Sequence, residues 1–173
     1  NLMAQEAQFH DNKVISHRGA WKNTGHPQNS LASFRAAAEM GCHGSECDVH
    51  LTLDDSLVVY HDLSHAGMLI EKTNYADLIK VPLKNSEKIP TLHEYILRAK
   101  KYPKTKLIID VKTPKEAARA TRIALAAAKV VKDMNFEKSV EYLLGYLPAV
   151  DELRAVTECP VAYLGRYKNE LPE

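Results

Sequence analysis

The sequence predicts an α/β fold in which short strands alternate with amphipathic helices and release their functional side chains at strand ends. Three observations carry this. Apolar runs at 14–16, 57–60 and 107–109 each end on a titratable or charged residue. Helical patterns with N-terminal caps lie between the strand candidates, and clusters of Gly, Pro, Asp and Ser punctuate the joins.

The run Val14-Ile15-Ser16 delivers His17 and Arg18 to a turn at Gly19. Imidazole titrates near neutral pH, and guanidinium offers a charged fork suited to phosphate. The stretch 20–28, with Gly25 and Pro27, is too polar for regular structure and should line the mouth of a site. Trp21 and His26 lie in it, and Trp21 reads either as a packing surface for a bound organic group or as a rim aromatic. Asn29 or Ser30 then caps a helix whose apolar face is Leu31, Phe34 and Ala38, and Gly41 ends it.

In the following strand Glu46 and Asp48 are two apart, so both carboxylates point to one face while Cys47 points to the other. Oxygen donors of this kind suit a hard divalent cation, Mg²⁺ or Ca²⁺. Asp54-Asp55-Ser56 reads as a turn, with too few residues for a crossover helix. An extended return should therefore lead into Leu57-Val58-Val59-Tyr60, which delivers His61 and Asp62. The expectation is that all three apolar runs release their charged residues in the same sense.

From 63 to 90 polar turns surround a short helix candidate at 75–80, with His65 near the start of the region. Thr91-x-x-Glu94 is a capping box before Leu92, Tyr95, Ile96 and Ala99. Leu107-Ile108-Ile109 delivers Asp110 and Lys112 on one face. Thr113-x-x-Glu116, with Pro114 at the first helical position, predicts a long alanine-rich helix to about 134. Strand candidates at 139–144 and 160–164 flank a helix candidate at 149–157.

Taken singly these residues have bland readings: a His-Arg turn, the solvated face of an edge strand, a surface histidine. Together, each near the exit of a strand candidate, they point to metal-dependent hydrolysis of phosphodiesters. Composition agrees with an ordinary folded domain, 45% hydrophobic and 26% charged over 173 residues. A net charge of +1 gives no sign of a nucleic-acid partner or of bulk membrane binding. No apolar run is long enough for a membrane span. Cys42, Cys47 and Cys159 are odd in number and read as small buried hydrophobes. The polar, patternless first dozen residues are expected to be disordered or extended, ahead of a single domain over 13–173. An opening without Met is how a mature exported chain looks, so a periplasmic or secreted location is expected, with a cytoplasmic one as the alternative. Self-association into a homo-oligomer is compatible with this composition.

The motifs also carry a family resemblance. His17-Arg18-Gly19, Pro27-Gln28-Asn29-Ser30, Glu46-x-Asp48-Val49-x-Leu51-Thr52, Val58-Val59-x-His61-Asp62 and Asp110-x-Lys112, in that order, resemble the glycerophosphodiester phosphodiesterase family. The ordered likeness covers 17–112 and continues more weakly to 165. It implies a TIM (β/α) barrel that hydrolyses glycerophosphodiesters to sn-glycerol 3-phosphate and an alcohol. It also implies one divalent cation, Mg²⁺ or Ca²⁺, held by Glu46, Asp48 and Asp110. His17 and His61 would share the roles of general acid and base, with His17 expected as the base; Arg18 and Lys112 would bind the phosphate, and Trp21 and Gln28 would belong to the substrate loop. The resemblance further implies that the substrate's own 2-hydroxyl attacks first and that water then opens a cyclic phosphate.

The chain departs from the pattern where Gln28 replaces a glutamate and where Asp110 replaces a glutamate, one methylene longer. A full barrel takes about 250 residues, whereas this sequence supplies about six strand candidates and a single tryptophan. The barrel is therefore expected to lack its last one or two β/α units. Two other readings stand beside the hydrolase: a degenerate domain that binds a phosphate ligand, and a ring-forming lysophospholipase D-type enzyme, which would need an apolar groove.

Overall fold

The computed structural model describes residues 8–165. In chain order, the elements begin with β1 (Ile15–Ser16), α1 (Leu31–Glu39), β2 (Gly44–Leu51) and β3 (Leu57–Val59). A small hairpin of β4 (Ser64–His65) and β5 (Met68–Leu69) follows, then the single turn α2 (Tyr75–Leu78) and α3 (Leu92–Ala99). The chain goes on through β6 (Lys106–Val111), α4 (Arg119–Asp133), β7 (Val140–Leu144), α5 (Leu147–Arg154) and β8 (Val161–Tyr163).

β1, β2, β6, β7 and β8 are hydrogen-bonded in that order, all parallel, as an arc of a (β/α) barrel. All eight residues of β2 are buried, as expected of a strand with neighbours on both edges. Its alternation is strict. Cys47, Val49 and Leu51, with Leu107, Ile109 and Val111 of β6, pack against α1, α3 and α4 in the main apolar core. The opposite face of the two strands carries Glu46, Asp48, Asp110 and Lys112. The register aligns Asp48 with Asp110, so the two carboxylates sit side by side on neighbouring strands.

The run at 57–60 does not share the direction of the other two. β3 is antiparallel to β2, with Val49 opposite Val59 and Leu51 opposite Leu57. A tight return forces this: Thr52 N–H donates to Ser56 O at 3.0 Å, and Asp55 takes φ +60°. β3 is thus no barrel strand, and the sheet supplies five parallel strands rather than six among the described residues. β1 and β3 lie end to end along the edge of β2 opposite β6. His17 leaves β1 going up, and His61 leaves β3 going down.

Two helix starts follow their caps. Ser30 accepts from Ser33 N–H at 3.0 Å and Ser33 reciprocates, so a serine serves at the third position of this capping box. Thr91 and Glu94 form the box expected of them. The helix expected from Thr113 instead begins at Arg119, without a side-chain cap. Residues 112–118 run irregularly from the strand end, and Arg119 Nη2 reaches back to Leu51 O at 3.4 Å. Pro114 therefore falls in this irregular stretch and not at a first helical position. The last helix also starts earlier than expected, at Leu147, with Pro148 in its first turn.

Residues 1–7 of the stretch expected to be disordered or extended lie outside the described residues. Residues 8–12 run along the base of the sheet, where His10 N–H donates to Lys104 O at 3.0 Å and the Asn12 amide to Gly41 O at 2.9 Å. Cys42, Cys47 and Cys159 are free and buried. No helix among the described residues is long and apolar enough to cross a membrane.

Candidate active site

The centre of the site is the polar face of β2 and β6. One oxygen each from Glu46, Asp48 and Asp110 lies within 4.8 Å of the others. Three carboxyls this close repel, and the structure shows the compensation. Lys112 Nζ spans Asp48 at 2.7 Å and Asp110 at 2.8 Å. Burial pushes the Asp48 carboxyl up, but hydrogen bonds from Lys112 and Asn29 outweigh it and hold the group below its ordinary value. Glu46 has no such ammonium. Burial, reinforced by the Asp48 charge, pushes it up to about 8, against the opposing hydrogen bond from the Arg18 backbone. Burial also raises Asp110, with Lys112 working the other way.

Buried Glu46 Oε1 has no hydrogen-bond partner among the described residues. An orphaned carboxylate oxygen, two more carboxylates beside it and an all-oxygen donor set fit a hard divalent cation.

The loop after β1 clamps this cluster from one side. Arg18 N–H donates to Glu46 Oε2 at 2.8 Å, and its guanidinium Nε stands 3.4 Å from Asp48 Oδ2. Arg18 and Asn29 are both left-handed, at φ +60° and +58°, and Asn29 N–H donates to Arg18 O at 3.0 Å. Gly19, at φ +77°, brings its backbone onto Ser33; a Cβ there would lie 2.4 Å from Ser33 Oγ. Asn29 is wholly inside: its amide donates to Asp48 Oδ2 at 2.7 Å and accepts from Asp48 N–H at 3.2 Å. With Ser30 serving as the helix cap, Asn29 is free to fix a carboxylate. Asn29 reads from the sequence only as a rival cap, because its partner is nineteen residues away.

The histidines form the exposed side. His17 Nε2 is 3.9 Å from Glu46 Oε2 with 66% of its side chain accessible. Burial and then the adjacent Arg18 lower its pKa. His61 is near enough for its charge to be felt at both His17 and Asp48. His61 Nδ1 is 2.7 Å from Asp62 Oδ1, which leaves Nε2 as the proton-bearing or proton-accepting atom. Asp62 thereby joins the site as an orienting group that the sequence offered only as the next residue.

The loop residues are also placed. Trp21 Nε1 donates to His17 O at 3.1 Å, and Gln28 Oε1 accepts from Arg18 Nη1 at 2.9 Å. Gln28 therefore contributes no charge to the carboxylate cluster and instead aims the guanidinium. Lys112 meets two carboxylates. His65, His43 and His50 bind carbonyl oxygens of Val81, His10 and His61 respectively, as structural histidines do.

With this geometry in hand, comparison with known proteins is specific. Residues 17–158 match the model of the glycerophosphoryl diester phosphodiesterase family. The chain belongs to this family. A crystal structure of a glycerophosphodiester phosphodiesterase from Parabacteroides distasonis is similar at 40% identity and TM-score 0.83, over 90% of this chain and 66% of that one. A phosphodiesterase from Oleispira antarctica, solved in complex with the product sn-glycerol-3-phosphate, is similar at 27% identity and TM-score 0.75, over 88% and 65%. A glycerophosphodiester phosphodiesterase of Caldanaerobacter subterraneus is 53% identical over 49 residues, 28% of this chain and 19% of that protein. The chain thus spans about two thirds of these solved family members, and its arc of parallel strands is that of the family's TIM barrel.

Proposed function

We propose that this chain hydrolyses glycerophosphodiesters to sn-glycerol 3-phosphate and an alcohol. The observation that carries the reading is the convergence of two accessible imidazoles, His17 and His61, on three carboxylates, Glu46 and Asp48 buried and Asp110 half-buried. A phosphodiester repels nucleophiles, so its oxygens must be neutralised and its leaving alkoxide protonated. Glu46, Asp48 and Asp110 would hold one Mg²⁺ or Ca²⁺, which when bound supplies charge neutralisation at the phosphoryl oxygens. Arg18, aimed by Gln28, offers its guanidinium to the same phosphate. Lys112 does so from the strand end.

The substrate's 2-hydroxyl attacks the phosphorus, and its proton passes to His17 as base. His61, held through Nδ1 by Asp62, donates from Nε2 to the departing alkoxide, leaving a cyclic phosphate. Water opens that ring with the roles reversed, which returns both histidines to their starting states. Each proton transfer is worth about 10²–10⁴ in rate.

The test is release of sn-glycerol 3-phosphate from glycerophosphoethanolamine by the purified protein, with Mg²⁺ or Ca²⁺ against a chelator. Cation-dependent release is expected. The bridge of Lys112 across Asp48 and Asp110 favours one second reading, a phosphate-ligand-binding domain in which the ammonium stands where a metal would. Binding of the ester without its consumption is the mark of that reading.

A further inference from the structure

A cavity opens beside the 20–28 loop. It has a volume of about 390 Å³, and Trp21, His26, Gln28, Tyr60, His65 and Lys84 are among its walls. Three of these are tied to the catalytic groups: Trp21 to the carbonyl of His17, Gln28 to Arg18, and Tyr60, whose N–H donates to Asp48 O at 3.0 Å. Its size suits a small organic group.

The chemistry of the wall is fixed by His65, which is 8% exposed. His65 Nε2 lies 2.8 Å from Val81 O. A carbonyl only accepts, so Nε2 carries the hydrogen. In the neutral ring Nδ1 is then an acceptor, and the hydroxyl of Tyr60, 3.1 Å away, is its donor. The phenol has one hydrogen and has spent it. Its oxygen therefore meets the cavity as an acceptor that a ligand's hydroxyl can satisfy.

The charge of the cavity points the same way. No carboxylate is among its lining residues, and Lys84 puts an ammonium at it. Trp21 already has Lys22 over its ring, 5.9 Å from the centroid. Tyr60 is engaged with the His65 ring at 5.1 Å in an edge arrangement. Among these lining residues a quaternary ammonium finds neither a carboxylate nor an unshared aromatic cage.

We infer that this cavity is the seat of the leaving alcohol and selects uncharged, hydroxylated head groups, with the Tyr60 oxygen accepting a hydrogen bond from a head-group hydroxyl. The inference rests on the proposed hydrolysis and deepens it.

The test compares kcat/KM for glycerophosphoglycerol and glycerophosphocholine, with one cation throughout, in wild type, Tyr60→Phe and Lys84→Glu. Wild type should prefer the glycerol ester. Tyr60→Phe keeps the ring, and should lose about tenfold on the glycerol ester while changing the choline ester less than about twofold. Lys84 is exposed, and Lys84→Glu should raise the choline ester about threefold. Circular dichroism and cation titration check that each variant is folded with its carboxylates intact. A wild-type preference for the choline ester overturns the inference. So does an equal loss on both esters in Tyr60→Phe, which would place the phenol against the shared glycerol phosphate. Turnover with an unchanged ratio overturns this inference alone, whereas no turnover of either ester by wild type overturns the proposed hydrolysis with it.

Discussion

The carboxylate wall and the histidine wall of this site are built by opposite means. Glu46, Asp48 and Asp110 stand on interior strands, fixed by register and buried to 5% exposure or less for the first two. His17 and His61 stand just past the ends of two short strands, with 66% and 31% of their side chains accessible. A cation site needs several donors held at fixed separation in a medium that magnifies charge, and paired strands supply both. Proton transfer needs access to a bound group and to water, and strand ends supply that. Removing a histidine should therefore cost chemistry alone, and removing a carboxylate should cost structure as well.

Replacing either His17 or His61 by Ala is expected to lower kcat about 10²–10⁴-fold with little change in the thermal midpoint. Steady-state rates and calorimetry on the same preparations would check this. A large fall in midpoint for His17→Ala would break the contrast. Asp48→Ala should abolish cation binding and also strand Lys112 and the Asn29 amide. A buried pair broken on one side costs about 3 kcal/mol, on the order of 10 °C for a chain of this length. Unaltered melting would mean that the carboxylate wall is not part of the scaffold.

Asp62→Asn sharpens the histidine side, because it leaves His61 in place and removes only its orienting charge. A loss of about 10–100-fold in kcat, with the midpoint unmoved, is the expected outcome. The remaining prediction concerns pH dependence. Glu46 holds its proton to about pH 8 when folded and to its ordinary 4.5 when unfolded. Its contribution to stability is therefore complete below about 4.5 and is lost as pH rises through about 8. Metal-free protein should lose stability from this group between those limits, and Glu46→Gln should flatten that slope in melting curves. The hydrogen-bonded Asp48, whose shift is downward, acts below this window.

How much of this was legible depends on how local each feature is. Strand period alone places Glu46 and Asp48 together, and the Thr91–Glu94 capping box and buried cysteines follow from short patterns. The direction of β3 does not, since an apolar run of Leu-Val-Val looks the same in either sense and only the Thr52–Ser56 return decides it. Asn29 and Tyr60 were hidden for the same reason. Their roles lie in partners brought close by the fold, Asp48 for Asn29 and His65 for Tyr60, whereas Asp62 orients its own neighbour in the chain, His61. The start of α4 misled because Thr-Pro-x-Glu is a sound local signal that the chain overrides while leaving the strand end at Lys112.

The measurement that tests the account most directly is calorimetric titration of the metal-free protein with Ca²⁺ and Mg²⁺ at pH 7, in buffers of differing ionisation heat. Glu46 is held protonated at that pH by burial beside Asp48, and a bound cation would expel the proton. The account predicts one cation per chain, release of up to about one proton on binding, and neither in Asp48→Ala. No binding, or binding that survives loss of Asp48 unchanged, would contradict it.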